Sequence, residues 1–118
     1  MAAIYDIEME QGATWRYLHT LYVGETPPLA VMDLTGYSAA MQIRLHPDSP
    51  IVIASLTSSN GGITVTPLAG TLEFVIEAAD SALFDFRKAV YDTYITSPTG
   101  EVSKLLYGEV VLVKRVTR

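Results

Sequence analysis

The sequence contains no cysteine in its 118 residues. That excludes disulfides, thiol nucleophiles and cysteine-ligated metals, so cohesion is left to packing and strand pairing. Basic residues are scarce as well: 8 Lys and Arg stand against 13 Asp and Glu, a formal net charge of −5. Duplex nucleic acid and anionic membranes call for a basic surface, and neither is expected as a partner. No apolar run approaches the roughly 18 residues of a membrane-spanning helix. The first ten residues lack a basic stretch followed by an apolar one, so no secretory signal is expected. This points to a protein made and kept in the cytosol unless it is assembled into a larger particle.

Helical periodicity is almost missing too. The segment around residues 79–84 is the one short helix expected, with Asp80 as a candidate cap. Elsewhere the pattern alternates. Tyr5, Ile7 and Met9 oppose Asp6, Glu8 and Glu10; Tyr37, Ala39, Met41, Ile43 and Leu45 oppose Ser38, Ala40, Gln42 and Arg44. Residues 14–23 are rich in aromatic and β-branched types and read as a strand with Trp15, Tyr17, His19 and Leu21 on one face. Residues 51–56, 88–96 and 102–114 read as further strands, and 63–66 with 71–77 as a hairpin around Pro67–Gly70. The Glu109–Val113 stretch is apolar on both faces, which suggests a central strand or one covered by a partner. Gly24–Pro28, His46–Pro50, Thr57–Gly62 and Ser97–Glu101 punctuate these runs. The result is about eight short antiparallel strands in one all-β domain spanning the chain, a β-sandwich or small barrel, with the sandwich preferred.

Motifs for catalysis are lacking. The sequence has no Gly-x-Ser-x-Gly elbow, no phosphate-cradling Gly-x-x-x-x-Gly-Lys-Ser/Thr loop and no Gly-x-Gly-x-x-Gly turn. Asp85 and Asp92 are the weak candidates for paired carboxylates that would act on a glycan. His19 lies in an aromatic strand and reads as a packed or interface residue. His46 and Asp48 sit in a turn without the three or four ligands that a transition-metal site needs. Asp6, Glu8 and Glu10 form an acidic row, but same-face residues stand roughly 7 Å apart along a strand and do not converge on one ion. No enzyme activity, cofactor or metal is expected.

What remains is surface for contact. Trp15, Tyr17, Tyr22, Tyr91, Tyr94 and Tyr107 could form a carbohydrate platform, although core packing explains Trp15 and Tyr17 equally well. Tyr94 points outward where Tyr91 points in, and exposed tyrosine suits an interface. Charge is uneven: residues 1–36 hold one basic against five acidic residues, a net of −4, and residues 104–118 hold four basic against one acidic, a net of +3. The two ends are expected as neighbours in one sheet with cross-strand charge pairs, or else in a head-to-tail contact between copies. Gly108 would let another backbone approach the last strand closely. The expected contact residues are Asp6, Glu8, Glu10, Tyr94, Lys114, Arg115 and Arg118, with the Gly24–Pro28 and Thr57–Gly62 loops.

Three stretches carry a resemblance. Asp33–Arg44 (DLTGYSAAMQIR), the hairpin Gly62–Ile76, and Ala89–Val102 followed by Leu105–Val110 and Val116–Arg118 resemble, in order and spacing, the N-terminal domain of phage baseplate upper proteins and related prophage proteins. The resemblance covers roughly residues 4–118. It implies a β-sandwich attachment module of a tailed-phage virion, made in the host bacterial cytoplasm. Such a module would contact other virion proteins in tail, baseplate or capsid and form homo-oligomers. Relatives of this kind often continue into a linker helix and a fibre-holding part. A chain ending at Arg118 is expected instead to be a stand-alone adaptor or a capsid decoration protein; the alternative from another class is a carbohydrate-binding module for the host surface.

Overall fold

The computed structural model describes residues 2–24 and 29–117. Alternation becomes strands almost everywhere it occurs. The elements are β1 (Ala3–Ile4), β2 (Ile7–Glu10), β3 (Trp15–Thr20), β4 (Tyr22–Val23), β5 (Ala30–Val31), β6 (Ser38–Arg44), β7 (Ala54–Thr57), β8 (Ile63–Thr66), β9 (Thr71–Ile76), α1 (Ala78–Ser81), β10 (Lys88–Thr96) and β11 (Val102–Val113). A single 3-10 turn, Pro67–Ala69, joins β8 to β9. Gly70 closes it in the left-handed region, at φ 67°, where a residue without Cβ is unstrained.

The strands form two main sheets. The larger runs β1-β11-β10-β6-β7, with β2 also on β11; the smaller runs β3-β9-β8. A separate ribbon pairs β4 with β5. The inner faces meet in one core: Met9, Met41, Ile43, Thr93 and Val110 from the large sheet, and Ile63, Leu72 and Phe74 from β8 and β9, are nearly or fully buried. Each large apolar side chain buried this way contributes about 1.5–3 kcal/mol. The fold is all-β and sandwich-like, as the alternation predicts.

Four details differ from the expectation. First, the strands number eleven among the described residues. The 14–23 run breaks at Leu21, whose backbone turns to bond Gly70 and Met32, so β3 ends and the β4–β5 ribbon begins. Second, pairing is not wholly antiparallel: β1 and β2 both run parallel to β11. Ala3 lies opposite Leu106 and Ile7 opposite Val110, so the register continues without an inserted residue across Tyr5 and Asp6. Third, the helix starts at Ala78, and Asp80 does not cap it. Glu77 occupies the cap position and no side chain caps the end. The polar residue that works here is Ser81, fully buried, whose Oγ donates to the Ala13 carbonyl (2.8 Å) and accepts from the Gly12 N–H (3.0 Å). Fourth, residues 51–53 of the expected strand lie outside β7, which begins at Ala54.

Candidate contact surface

β11 is central, between β10 on one side and β1 and β2 on the other. Its inner residues Leu106, Val110 and Leu112 are buried, whereas Val111 and Val113 reach the outer face and are exposed. The apolar-on-both-faces stretch therefore contributes its second face to the surface of the molecule.

The interruption between β1 and β2 is built around Gly108. A Cβ on Gly108 would stand 2.6 Å from the Tyr5 carbonyl oxygen and 2.7 Å from Asp6 Oδ1, well inside contact distance. The close backbone approach expected at this glycine is thus made by the chain's own N-terminal segment. The Tyr91 hydroxyl donates to the same Tyr5 carbonyl, and the Tyr5 N–H donates to Tyr107 O at 2.9 Å. Burial, with the nearby Tyr17, Tyr5 and Asp6, pushes the Tyr91 phenol well above its ordinary pKa. Asp6 Oδ1 accepts the Glu109 backbone N–H at 3.0 Å, doing the work of a missing ladder carbonyl. Asp6 is therefore a structural residue of the sheet.

Charge pairing between the two ends takes a different form from the one expected. The acidic start and basic finish are neighbours, but backbone bonds join them. Glu8 and Glu10 lie exposed along β2 and make no ion pair among the described residues. Lys114 turns instead to Asp85, 2.5 Å away, and its ammonium holds that carboxyl below its usual range. The Arg115 N–H donates to Gln11 Oε1 (3.0 Å), and its side chain lies against Gly12. Arg118, and Gly24–Pro28 beyond Gly24, lie outside the described residues.

Tyr94 does face outward, 37% exposed. A bulge between β10 and β11 determines its company: Thr93 faces Leu106, but Tyr94 faces Lys104. Leu105 is the extra residue and packs against the core. Strict alternation would put Lys104 and Tyr107, three apart, on opposite faces. The bulge brings them together, with Lys104 Nζ 4.7 Å from the Tyr107 ring centroid and 6.0 Å from that of Tyr94. Cross-strand register places Asp92 between Tyr107 and Gln42, and Val90 between Glu109 and Arg44. Arg44 donates to Gln42 Oε1 (2.9 Å) and to the Ser49 carbonyl (2.6 Å). Lys104, Tyr107, Asp92, Gln42, Val90, Glu109 and Arg44 line a shallow groove of about 590 Å³, with Asp6, Ile4 and Pro47 on its walls. Asp92 and Asp85, the weak carboxylate pair, are not brought together: Asp92 lines this groove and Asp85 another.

Of the other aromatics, Tyr5 stacks on Tyr17 (centroids 4.6 Å apart) and Tyr17 lies near Trp15 and Phe74, so Trp15 and Tyr17 close one side of the sandwich. The Tyr17 hydroxyl meets His19 Nδ1 at 3.0 Å, and burial lowers the His19 pKa. In the Thr57–Gly62 loop, Asn60 folds back on β7. Its Oδ1 accepts the Thr57 and Gly62 N–H groups (both 2.9 Å) and its Nδ2 donates to the Ser55 carbonyl (3.0 Å). One side chain thus makes bonds that an added strand would make, and it blunts the open edge of the large sheet.

Neither a scan of protein-family models nor a search of curated proteins finds a match to this chain.

Proposed function

We propose that this protein is a non-enzymatic structural component of a tailed-phage virion, an adaptor or attachment module of tail or baseplate. It acts through contacts with other virion proteins and with copies of itself. The observation that carries the reading is the outer face of the large sheet. Ile4, Tyr94, Tyr107, Val111 and Val113 are displayed there on paired strands beside Lys104, Asp92 and Glu8. Aromatic and aliphatic groups held on a rigid sheet and rimmed by charge suit recognition by another protein, because little side-chain entropy is lost on binding. The resemblance of Asp33–Arg44, Gly62–Ile76, and Ala89–Val102 with Leu105–Val110 and Val116–Arg118, in order and spacing, to the N-terminal domain of phage baseplate upper proteins supports the same reading.

The experiment is mass spectrometry of purified particles from the phage or induced prophage that encodes the chain, with immunogold labelling. Label at the tail end is the expected result. Label over the head would place the protein as a capsid decoration, and absence from particles would overturn the proposal. A second reading, carbohydrate binding, draws on the groove where Tyr107 adjoins Asp92, Gln42 and Arg44. Glycan-array binding abolished by Tyr107→Ala would favour it.

A further inference from the structure

A second groove, of about 750 Å³, opens at the end of the sandwich where β7, β9 and the segment after α1 meet. Its floor is apolar, with Ile53, Ile76, Phe84 and Phe86. Leu83 on its lip is 82% exposed, and Ile51, in the loop that leads to it, is 71% exposed. Among the described residues, the ionisable side chains lining it are all acidic: Glu77, Asp80 and Asp85. Apolar surface of this kind, rimmed by one sign of charge, is matched by an apolar residue set between cations. The C-terminal end of the same chain has that chemistry: Lys114, Arg115 and then Val116, which is 93% exposed.

We infer that the groove of one copy receives the Lys114–Thr117 segment of a second copy. This gives the self-contact of the proposed function a definite place, and it stands or falls separately from the virion role. The groove and the segment lie at the same end of the molecule, since Lys114 already reaches Asp85 on the groove's rim. Two copies set end to end about a twofold axis would fill both grooves at once, so the assembly closes as a dimer and does not propagate as a filament. Lys114 then exchanges its own Asp85 for the partner's, and Val116 leaves water for the apolar floor.

The test uses the intact chain. Sedimentation equilibrium should show a dimer that weakens as salt rises. Val116→Asp should raise its Kd about a hundredfold, roughly a factor of ten for each groove. The chain has no cysteine, so Leu83→Cys and Val116→Cys can be prepared separately and then mixed under mild oxidation. A mixed disulfide dimer, formed in preference to either homodimer, is the expected product. Both substitutions are at exposed positions, outside the buried core. A strict monomer at the highest soluble concentration would overturn the inference. So would a dimer indifferent to Val116→Asp, or a strict monomer that binds a free peptide of residues 113–118.

Discussion

Gly108→Ala is the substitution that most directly tests how the N-terminal segment is held. Two opposing effects set its sign. Glycine inside a strand costs about 0.5–1 kcal/mol relative to alanine through backbone entropy, so alanine there would ordinarily stabilise. Against that, the new Cβ would sit 2.6 Å from Tyr5 O and 2.7 Å from Asp6 Oδ1. Neither is the free end of a flexible chain: the first is backbone, and the second is tied to the Glu109 N–H. The Tyr5–Asp6 segment must lift away, loosening the Tyr91 hydroxyl bond, the Tyr5–Tyr107 bond and the Asp6–Glu109 bond together. Overpacking of this kind costs about 1–3 kcal/mol, and each loosened hydrogen bond adds up to about 1. The steric loss exceeds the entropic gain, for a net destabilisation of about 1–5 kcal/mol. In a domain this size that lowers Tm by very roughly 4 °C or more per kcal/mol. Urea unfolding followed through Trp15, the one tryptophan, would measure it, with a calorimetric scan beside it. Adding Asp6→Ala in the same chain should give less than the sum of the two single effects, since both act on one crossing point. A Gly108→Ala protein as stable as the parent, with an unchanged m-value, would refute the close approach of β1 and β2 to β11.

Three other outcomes are expected. Thr93 Oγ1 is fully buried, has no hydrogen-bond partner among the described residues, and the residue lines a void among Tyr5, Tyr17, Phe74 and Leu106 too small for water. Thr93→Val should therefore stabilise by about 1 kcal/mol in chemical denaturation, and a loss of that size would mean the hydroxyl is satisfied. Asn60→Ala removes the bonds to Thr57, Ser55 and Gly62; it should cost about 1–2 kcal/mol and raise light scattering on storage, because the β7 edge is then open to pairing. For His19, burial depresses the pKa, so the unfolded chain binds the proton more readily. Stability is then retained above the ordinary histidine pKa of about 6.5 and lost as pH falls through it toward the folded value. Unfolding free energies measured from about pH 8 down to 5 should fall, and His19→Gln should flatten that slope.

Much of the fold was legible because strand patterning is local. The Lys88–Thr96 strand and the Ile63–Thr66/Thr71–Ile76 hairpin emerge with the bounds that alternation and turn residues imply, within a residue. Tyr94 outward and Tyr91 inward follow from the same period of two. The candidate surface was less legible. Asp6 reads as a free carboxylate in an acidic row, and only the crossing at Gly108 makes it a ladder acceptor. Lys104 and Tyr107 read as opposite faces until the bulge at Leu105 shifts one of them. Asn60 reads as a loop residue, and Ser55 and Thr57 become its partners only once β7 is an edge.

By itself, then, the sequence determined the class of this protein: no disulfides, an all-β fold, which residues of each strand are apolar, where glycine must stand, and an acidic beginning with a basic end. These follow from composition and from a side-chain period that each strand carries alone. Tertiary structure decided the rest. It set the parallel course of β1 and β2 along β11, the turning of Lys114 to Asp85 rather than to the acidic strand beside it, and the joining of Tyr94, Lys104, Tyr107, Asp92 and Arg44 on one face. Strand direction, register and bulges arise from contacts between segments up to a whole chain length apart, and a local pattern carries no information about its distant partner.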